Sequence, residues 1–250
     1  MKKVLILIVI SLFVFMSCGT SNESVRMPIK YGGGSGTVSD PYLITTSVHL
    51  AKIINDEDYN SNFKLMNDID LSNDPIFPLG TCTEGFEGVF DGNGFSLKNI
   101  SYTQTDGNGC TAIFRYNGGT IKNLTIENID ISGNNSQVAG LVAINYGTIQ
   151  NCNVSGTVGK NEDPYNGALV VGGICSSNLG IIDTVSFNGT VIGSDYVAGI
   201  VGLNKAGTIS CLSAPSNVVI LKGEGASYFG PGYINNGDVI DTIEIVPLCD

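Results

Sequence analysis

Apolar and polar positions along this chain follow a pattern that returns six times: two apolar residues, a short gap, an Asn, then a Gly and a new apolar segment. It reads Val89-Phe90 to Asn93, Ile113-Phe114 to Asn117, Leu141-Val142 to Asn145, Ile174-Cys175 to Asn178, Ile200-Val201 to Asn204 and, more faintly, Pro231-Gly232 to Asn235. The Asn residues stand 24, 28, 33, 26 and 31 positions apart. Recurrence at such a period marks stacked units that cannot bury their apolar faces alone.

Aligned on the Asn, the units form columns. Four residues on stand Leu97, Ile121, Ile149, Ile182 and Val239, with Ile209 one place later. Seven on stand Ile100, Leu124, Cys152, Val185, Cys211 and Thr242, and nine on Tyr102, Ile126, Val154, Phe187, Ser213 and Glu244. The last two columns differ by two and share one face of a strand; the first two differ by three, so the chain bends between them. At that bend stand Asn99, Asn123, Asn151, Thr184, Ser210 and Asp241. Asn suits left-handed corners, and Gly119, Gly147, Gly180 and Gly237 are read as serving the same conformational need.

The pattern predicts an all-β fold: a right-handed parallel β-helix of about six coils over residues 86–215, with a degenerate last coil and cap over 216–250. Neighbouring coils about 4.8 Å apart give a core roughly 25–30 Å long. A β-propeller needs blades of about 40–50 residues, and a leucine-rich repeat needs helix signals that these units lack.

Residues 37–85 read as a short N-terminal α/β cap that covers the open end of the stack. Asp40 to Ile44 predicts a strand, and Thr46 or Ser47 caps a helix from about Val48 to Asn55. Val48 and Ala51, with Ile54 or Leu50, are expected to face inward, and Asn62 to Ser72 returns to strand.

Ahead of the cap, Lys2-Lys3, an apolar run from Val4 to Met16 and Ser17-Cys18 form a secretory signal over 1–17, too short to span a membrane. Ser17-Cys18 resembles a bacterial lipoprotein box, which implies lipidation at Cys18; Phe15 stands where Leu is usual. Residues 18–36 are polar and Gly-rich and read as a flexible tether. Loss of the signal takes two Lys and no acid, lowering the net charge from −11 to −13. Such a surface repels nucleic acid and anionic lipid headgroups. Gly contributes 33 of 250 residues, nearly double its usual share.

Gly36-Thr37, Asp40 to Ile44, Asn67 to Leu71 and Phe86 to Gly94 resemble the leader of GLUG-repeat proteins. Ala139-Gly140-Leu141-Val142, then Asn145 to Cys152, and Ala198 to Asn204 are similar to the repeats themselves. Ala143 and Ser176 depart from the Gly usual there, and residues 160–167 are an insertion. The resemblance implies a β-solenoid at a bacterial cell surface, as in adhesins and non-catalytic parts of immunoglobulin A peptidases. It carries no catalytic residues and no cofactor.

The residues themselves offer few alternatives. Asp68 and Asp70, with Asp74 nearby, could hold Ca²⁺ or act as acid and base, but their place ahead of the solenoid favours a cap or corner role. Asp91 to Gly94 and Asp106 to Gly109 lack the spaced acids of an EF-hand. His49 has no Ser, Cys or metal partner by spacing, and no zinc pattern is present. A polysaccharide lyase or hydrolase on a β-helix needs an acidic cluster with a basic partner on one face. The outward column, Lys98, Lys122, Gln150, Asp183, Ser210 and Ile240, offers two stacked Lys without gathered acids. Cys152, Cys175 and Cys211 read as small buried hydrophobes, and a Cys82–Cys110 bridge suits an exported chain.

The sequence therefore predicts a membrane-anchored lipoprotein of the outer membrane or cell surface. It would be a non-catalytic binding or adhesion module for a host or envelope protein or a glycan. The candidate contacts are Tyr165, Glu162 and Asp163, on a loop thrown out from the stack. A polysaccharide-active enzyme and a purely structural envelope component are the alternatives.

Overall fold

The computed structural model describes residues 30–74, 78–104, 109–133, 137–159 and 168–213, and the backbone of four strands between Val219 and Ile240. The chain winds through three parallel sheets. One stacks Cys110–Thr111, Gln137–Ala139, Val170–Gly172, Tyr196–Ala198 and Tyr228–Gly230. The next stacks Phe114–Asn117, Val142–Asn145, Cys175–Asn178, Val201–Asn204 and Tyr233–Asn235. The third and largest takes the long strands Thr125–Gly133, Thr148–Val158 and Ile181–Gly193, with the short strands of the N-terminal region. Each turn of the chain visits the three sheets in order, which is the winding of a parallel β-helix.

The predicted columns stack. Ile121, Ile149, Ile182 and Ile209 are register partners, as are Ile126, Val154 and Phe187. All but Ile209 are buried, and each full-sized apolar side chain contributes about 1.5–3 kcal/mol. The bend between columns is a left-handed residue in successive coils: φ is 52° at Asn123, 51° at Asn151, 52° at Thr184 and 48° at Cys211. Cys211, not Ser210, is thus the corner; one extra residue after Asn204 shifts the strand, and Leu212 takes the column place beside Val185. Cys211 is also disulfide-bonded rather than a free buried thiol.

The first unit is offset from its sequence alignment. Phe86, not Asn93, lies opposite Asn117, Phe90 pairs with Ile121, and Leu97 pairs with Ile126. The Asn at the strand end is explained by burial. Asn117 donates to Asn145 Oδ1 at 2.7 Å, Asn145 to Asn178 at 2.8 Å, and Asn178 to Asn204 at 2.9 Å. Glycine follows for want of space: a Cβ on Gly147 would stand 2.0 Å from the Gly119 carbonyl oxygen, and one on Gly180 2.1 Å from that of Gly147. Gly119, Gly147 and Gly180 do not adopt the left-handed conformation expected of them, and Gly237 lies outside the described residues. Val239 departs from its column, because Asp238–Ile240 runs antiparallel to Tyr233–Asn235.

The cap continues the third sheet. Tyr42–Ile44 pairs with Phe63–Leu65, which pairs with Val89–Asp91, while Ile69–Asp70 pairs with Ser96–Lys98. The helix is Ser47–Asn55, with Thr46 at its cap position making no side-chain bond. It buries Leu50 and Ile53, whereas Val48 is 70% exposed, which corrects the inward assignment of Val48. Residues 30–36, assigned to a tether by composition, cover the outer strand: Gly32 N–H donates to Leu43 O, and Leu43 N–H to Gly33 O. Tyr31 is buried with its hydroxyl on Asp58. Phe63, Phe86, Phe90 and Phe114 fill the interior at this end, the last two with centroids 5.5 Å apart.

Candidate binding surface

Where the second sheet turns into the third, one residue per coil points outward between the buried Asn and the packed Gly. In register these are Glu87, Gly118, Tyr146 and Leu179, fixed by N–H bonds from Gly118 to Phe86 O, Tyr146 to Asn117 O, and Leu179 to Asn145 O. Gly118 leaves a gap in this row. A Cβ there would lie 2.3 Å from Glu87 Oε2, so the Glu87 carboxylate closes over the gap from one side. From the other side Tyr146 stacks on Tyr116, ring centroids 5.3 Å apart and planes 26° apart. Tyr146 is 53% exposed. Burial, the Glu87 charge and Tyr146 together push the Tyr116 phenol up.

Beside this pair lies an open cleft of about 420 Å³, lined by Glu57, Tyr59, Asn60, residues Thr81 to Gly85 except Cys82, and Glu87. Gly85 packs directly on Tyr116, since a Cβ there would be 2.5 Å from the Tyr116 Cβ. Glu87, which lines the cleft and covers Gly118, joins the cleft to the row that carries Tyr146. The loop carrying Thr81 to Glu84 is held in shape locally: Thr81 N–H donates to Glu84 O at 2.6 Å and Glu84 N–H to Thr81 Oγ1 at 2.8 Å. The expected Cys82–Cys110 disulfide is present and ties this loop to the first strand of the next coil.

Among the described residues, Glu57, Glu84 and Glu87 have no ion-pair partner, and no three His, Cys, Asp or Glu groups could hold a metal ion. Elsewhere several acids are occupied. Lys98 bridges Asp68 at 2.9 Å and Glu127 at 3.6 Å, and Lys122 meets Asp91 at 3.6 Å. Lys98 and Lys122 are thus not stacked on each other, and carboxylates do gather beside them. Their ionisation opposes acid–base work: the Lys98 bond lowers Asp68, the Asn99 bond lowers Asp70, and the Asp68 bond raises Lys98. A general base or acid needs the reverse shifts near neutrality.

Asp68 and Asp70 are corner residues. Asp68 also accepts the Ser96 N–H, and Asp70 accepts from Ser72 N–H and the Asn99 side chain. Asp74 accepts from Ser47 at the start of the helix. His49 accepts the Thr45 N–H through Nδ1 and packs edge-on to Tyr31, and burial lowers its pKa. Cys18, Tyr165, Glu162 and Asp163 lie outside the described residues, as do residues 106–108. Tyr116, Tyr146 and Glu87 escaped the sequence reading because they are far apart in the chain. The signal that finds them is the missing side chain of Gly118 in an otherwise occupied row.

The model of the GLUG motif matches residues 134–159. A protein of Evansella cellulosilytica, provisionally named a Gly-rich membrane protein, is 31% identical over 203 residues, 77% of this chain and 23% of its own length. Halomucin of Haloquadratum walsbyi is 36% identical over 142 residues, 52% of this chain and 2% of its own. The chain thus spans less than a quarter of either relative. The crystal structure of a provisional immunoglobulin A1 protease from Bacteroides ovatus has a TM-score of 0.62 at 17% identity, over 82% of this chain and 70% of that one. That likeness concerns the fold.

Proposed function

We propose that this chain, which is a GLUG-containing protein, serves as a non-catalytic binding module of a bacterial cell envelope. In this reading it is held to the membrane through a lipid on Cys18, and its right-handed stack of about six coils is a scaffold that displays a recognition surface. The observation that carries it is the stacked pair of Tyr116 and half-exposed Tyr146, continuous with a polar cleft and mounted on backbone that is hydrogen-bonded coil to coil. A rigid scaffold with an exposed aromatic pair binds at low ordering cost. The names of the two relatives, a Gly-rich membrane protein and halomucin, agree with a place in the envelope.

Radioactive palmitate should label the full chain and not its Cys18→Ala variant, and added protease should degrade it on intact cells. Labelling unchanged by the substitution removes the anchor; complete protection from protease removes the surface. The competing reading is a polysaccharide lyase or hydrolase, for which the Asp68–Lys98–Glu127 group is the motif to consider. Its shifted ionisation argues for a structural ion network. Release of reducing ends or unsaturated products from polysaccharide by the purified chain would favour the enzyme instead.

A further inference from the structure

We propose that the surface formed by Tyr116, Tyr146, Glu87 and the neighbouring cleft is a binding site for an uncharged polysaccharide, with Tyr146 as its stacking platform. The proposal rests on the reading of the chain as a binding module and names its ligand class. A pyranose ring offers an apolar C–H face and a rim of hydroxyl groups. The first needs a flat aromatic surface, and the second needs oxygen acceptors and donors arranged beside it.

Both are present here in one continuous surface. Tyr146 supplies a ring 53% open to solvent and braced from behind by Tyr116, so that its orientation is already set. The path from the rings to the cleft runs over Gly118, which the Glu87 carboxylate covers, while buried Gly85 packs on Tyr116. Along that path lie the Glu87 and Glu84 carboxylates, which accept from hydroxyl groups, and Thr83 and Asn60, which both donate and accept. A cleft of about 420 Å³ falls within the range of small-ligand sites.

Charge selects among polymers. Glu57, Glu84 and Glu87 have no ion-pair partner among the described residues, and the whole chain carries −11. Uronate and sulfated chains are repelled by such a field. Among the described residues no three ligand groups converge on a metal ion. A cationic peptide would satisfy the carboxylates and, through its backbone, the hydroxyl and amide groups, so poly-L-lysine is the rival probe in the test.

The test is affinity electrophoresis of the full chain, purified in mild detergent, through gels containing xylan, mannan, galactan or amylose, with polygalacturonate and poly-L-lysine as charged controls. Retardation by at least one uncharged polymer is expected, weakened about tenfold in Tyr146→Ala. Tyr146→Phe, which keeps the ring, should bind as the parent does, and a shared melting temperature excludes misfolding. Glu84→Gln provides a second variant on the cleft side and should weaken the same polymer. Absence of retardation by every uncharged polymer overturns the proposal. So does binding that survives Tyr146→Ala, or a preference for polygalacturonate or poly-L-lysine. None of these results touches palmitate labelling or protease access, which decide the envelope reading separately.

Discussion

The side chain of Asn145 donates to Asn178 Oδ1 across 2.8 Å while accepting from Asn117 at 2.7 Å, and all three residues are fully buried. A buried amide left without its partner costs about 1–3 kcal/mol. Asn145→Leu removes the middle of the ladder, leaving the Asn117 amide only its 3.4 Å bond to Thr148 O and the Asn178 oxygen only the Gly180 N–H at 3.2 Å. A loss of at least about 2 kcal/mol in denaturant unfolding is expected. A variant as stable as the parent would show the ladder to be dispensable.

Gly147 and Gly94 separate two reasons for glycine. A Cβ on Gly147 would lie 2.0 Å from a carbonyl oxygen of the preceding coil, whereas Gly94, at φ 79°, has nothing within 4 Å. Gly94→Ala should cost only the backbone strain of about 1–2 kcal/mol. Gly147→Ala must push coils apart and should cost more. Equal melting temperatures would remove the close-approach argument.

Leu124 is fully buried and Val48 is 70% exposed. Leu124→Asp places a charge where it has no partner and is expected to abolish cooperative unfolding. Val48→Asp on the helix should stay within about 0.5 kcal/mol of the parent. Similar stability for the two variants would reverse the assignment of faces.

Burial pushes the Cys152 thiol up to about 12, and the wholly buried Cys175 is raised further. The thiolate is the reactive form. Iodoacetamide at pH 8 should therefore modify neither residue in the folded chain and both after unfolding, as read by peptide mass. Modification of Cys175 before unfolding would place it outside the core.

Two pH windows follow from the shifted groups. Burial lowers His49 below 6.5, so its neutral form belongs to the folded state; that contribution is full above pH 6.5 and is lost as pH falls through the folded value. Asp68, Asp70 and Asp183 lie below 3.8, held down first by Lys98, Asn99 and Ser210 respectively. Their contribution is full above about pH 3.8 and goes as the pH drops further. Urea midpoints measured from pH 8 to 2 should decline in two stages, and His49→Gln should flatten the first. A single decline in the parent would contradict this.

The columns were legible because strand periodicity and a left-handed corner recur at fixed distance from an Asn, as at Asn123 and Asn151. The front of the stack was not. Asp91-Gly92-Asn93-Gly94 imitates the repeat, while the true counterpart of Asn117 is Phe86, which no polar pattern marks. The helix face was misjudged because periodicity alone does not choose between Val48 and Ile53. The tyrosine surface depends on which residues stacking brings together. Tyr116 stacks on Tyr146 of the following coil, where Gly118 holds the register place beside Tyr146, a juxtaposition that needs the register before it can be read.

The amide ladder has a direction. Each Asn donates to the next coil, and at the leading end the Oδ1 of Asn117 has no hydrogen-bond partner, since Phe86 stands in the preceding place. A coil duplicated behind Asn117 would find a donor on one side and an acceptor on the other. The same coil placed ahead of Phe86 would find a phenyl ring. Coils added behind Asn145, on the Asn178 side, would extend the ladder and leave Glu87, Gly118 and Tyr146 unmoved at the leading end.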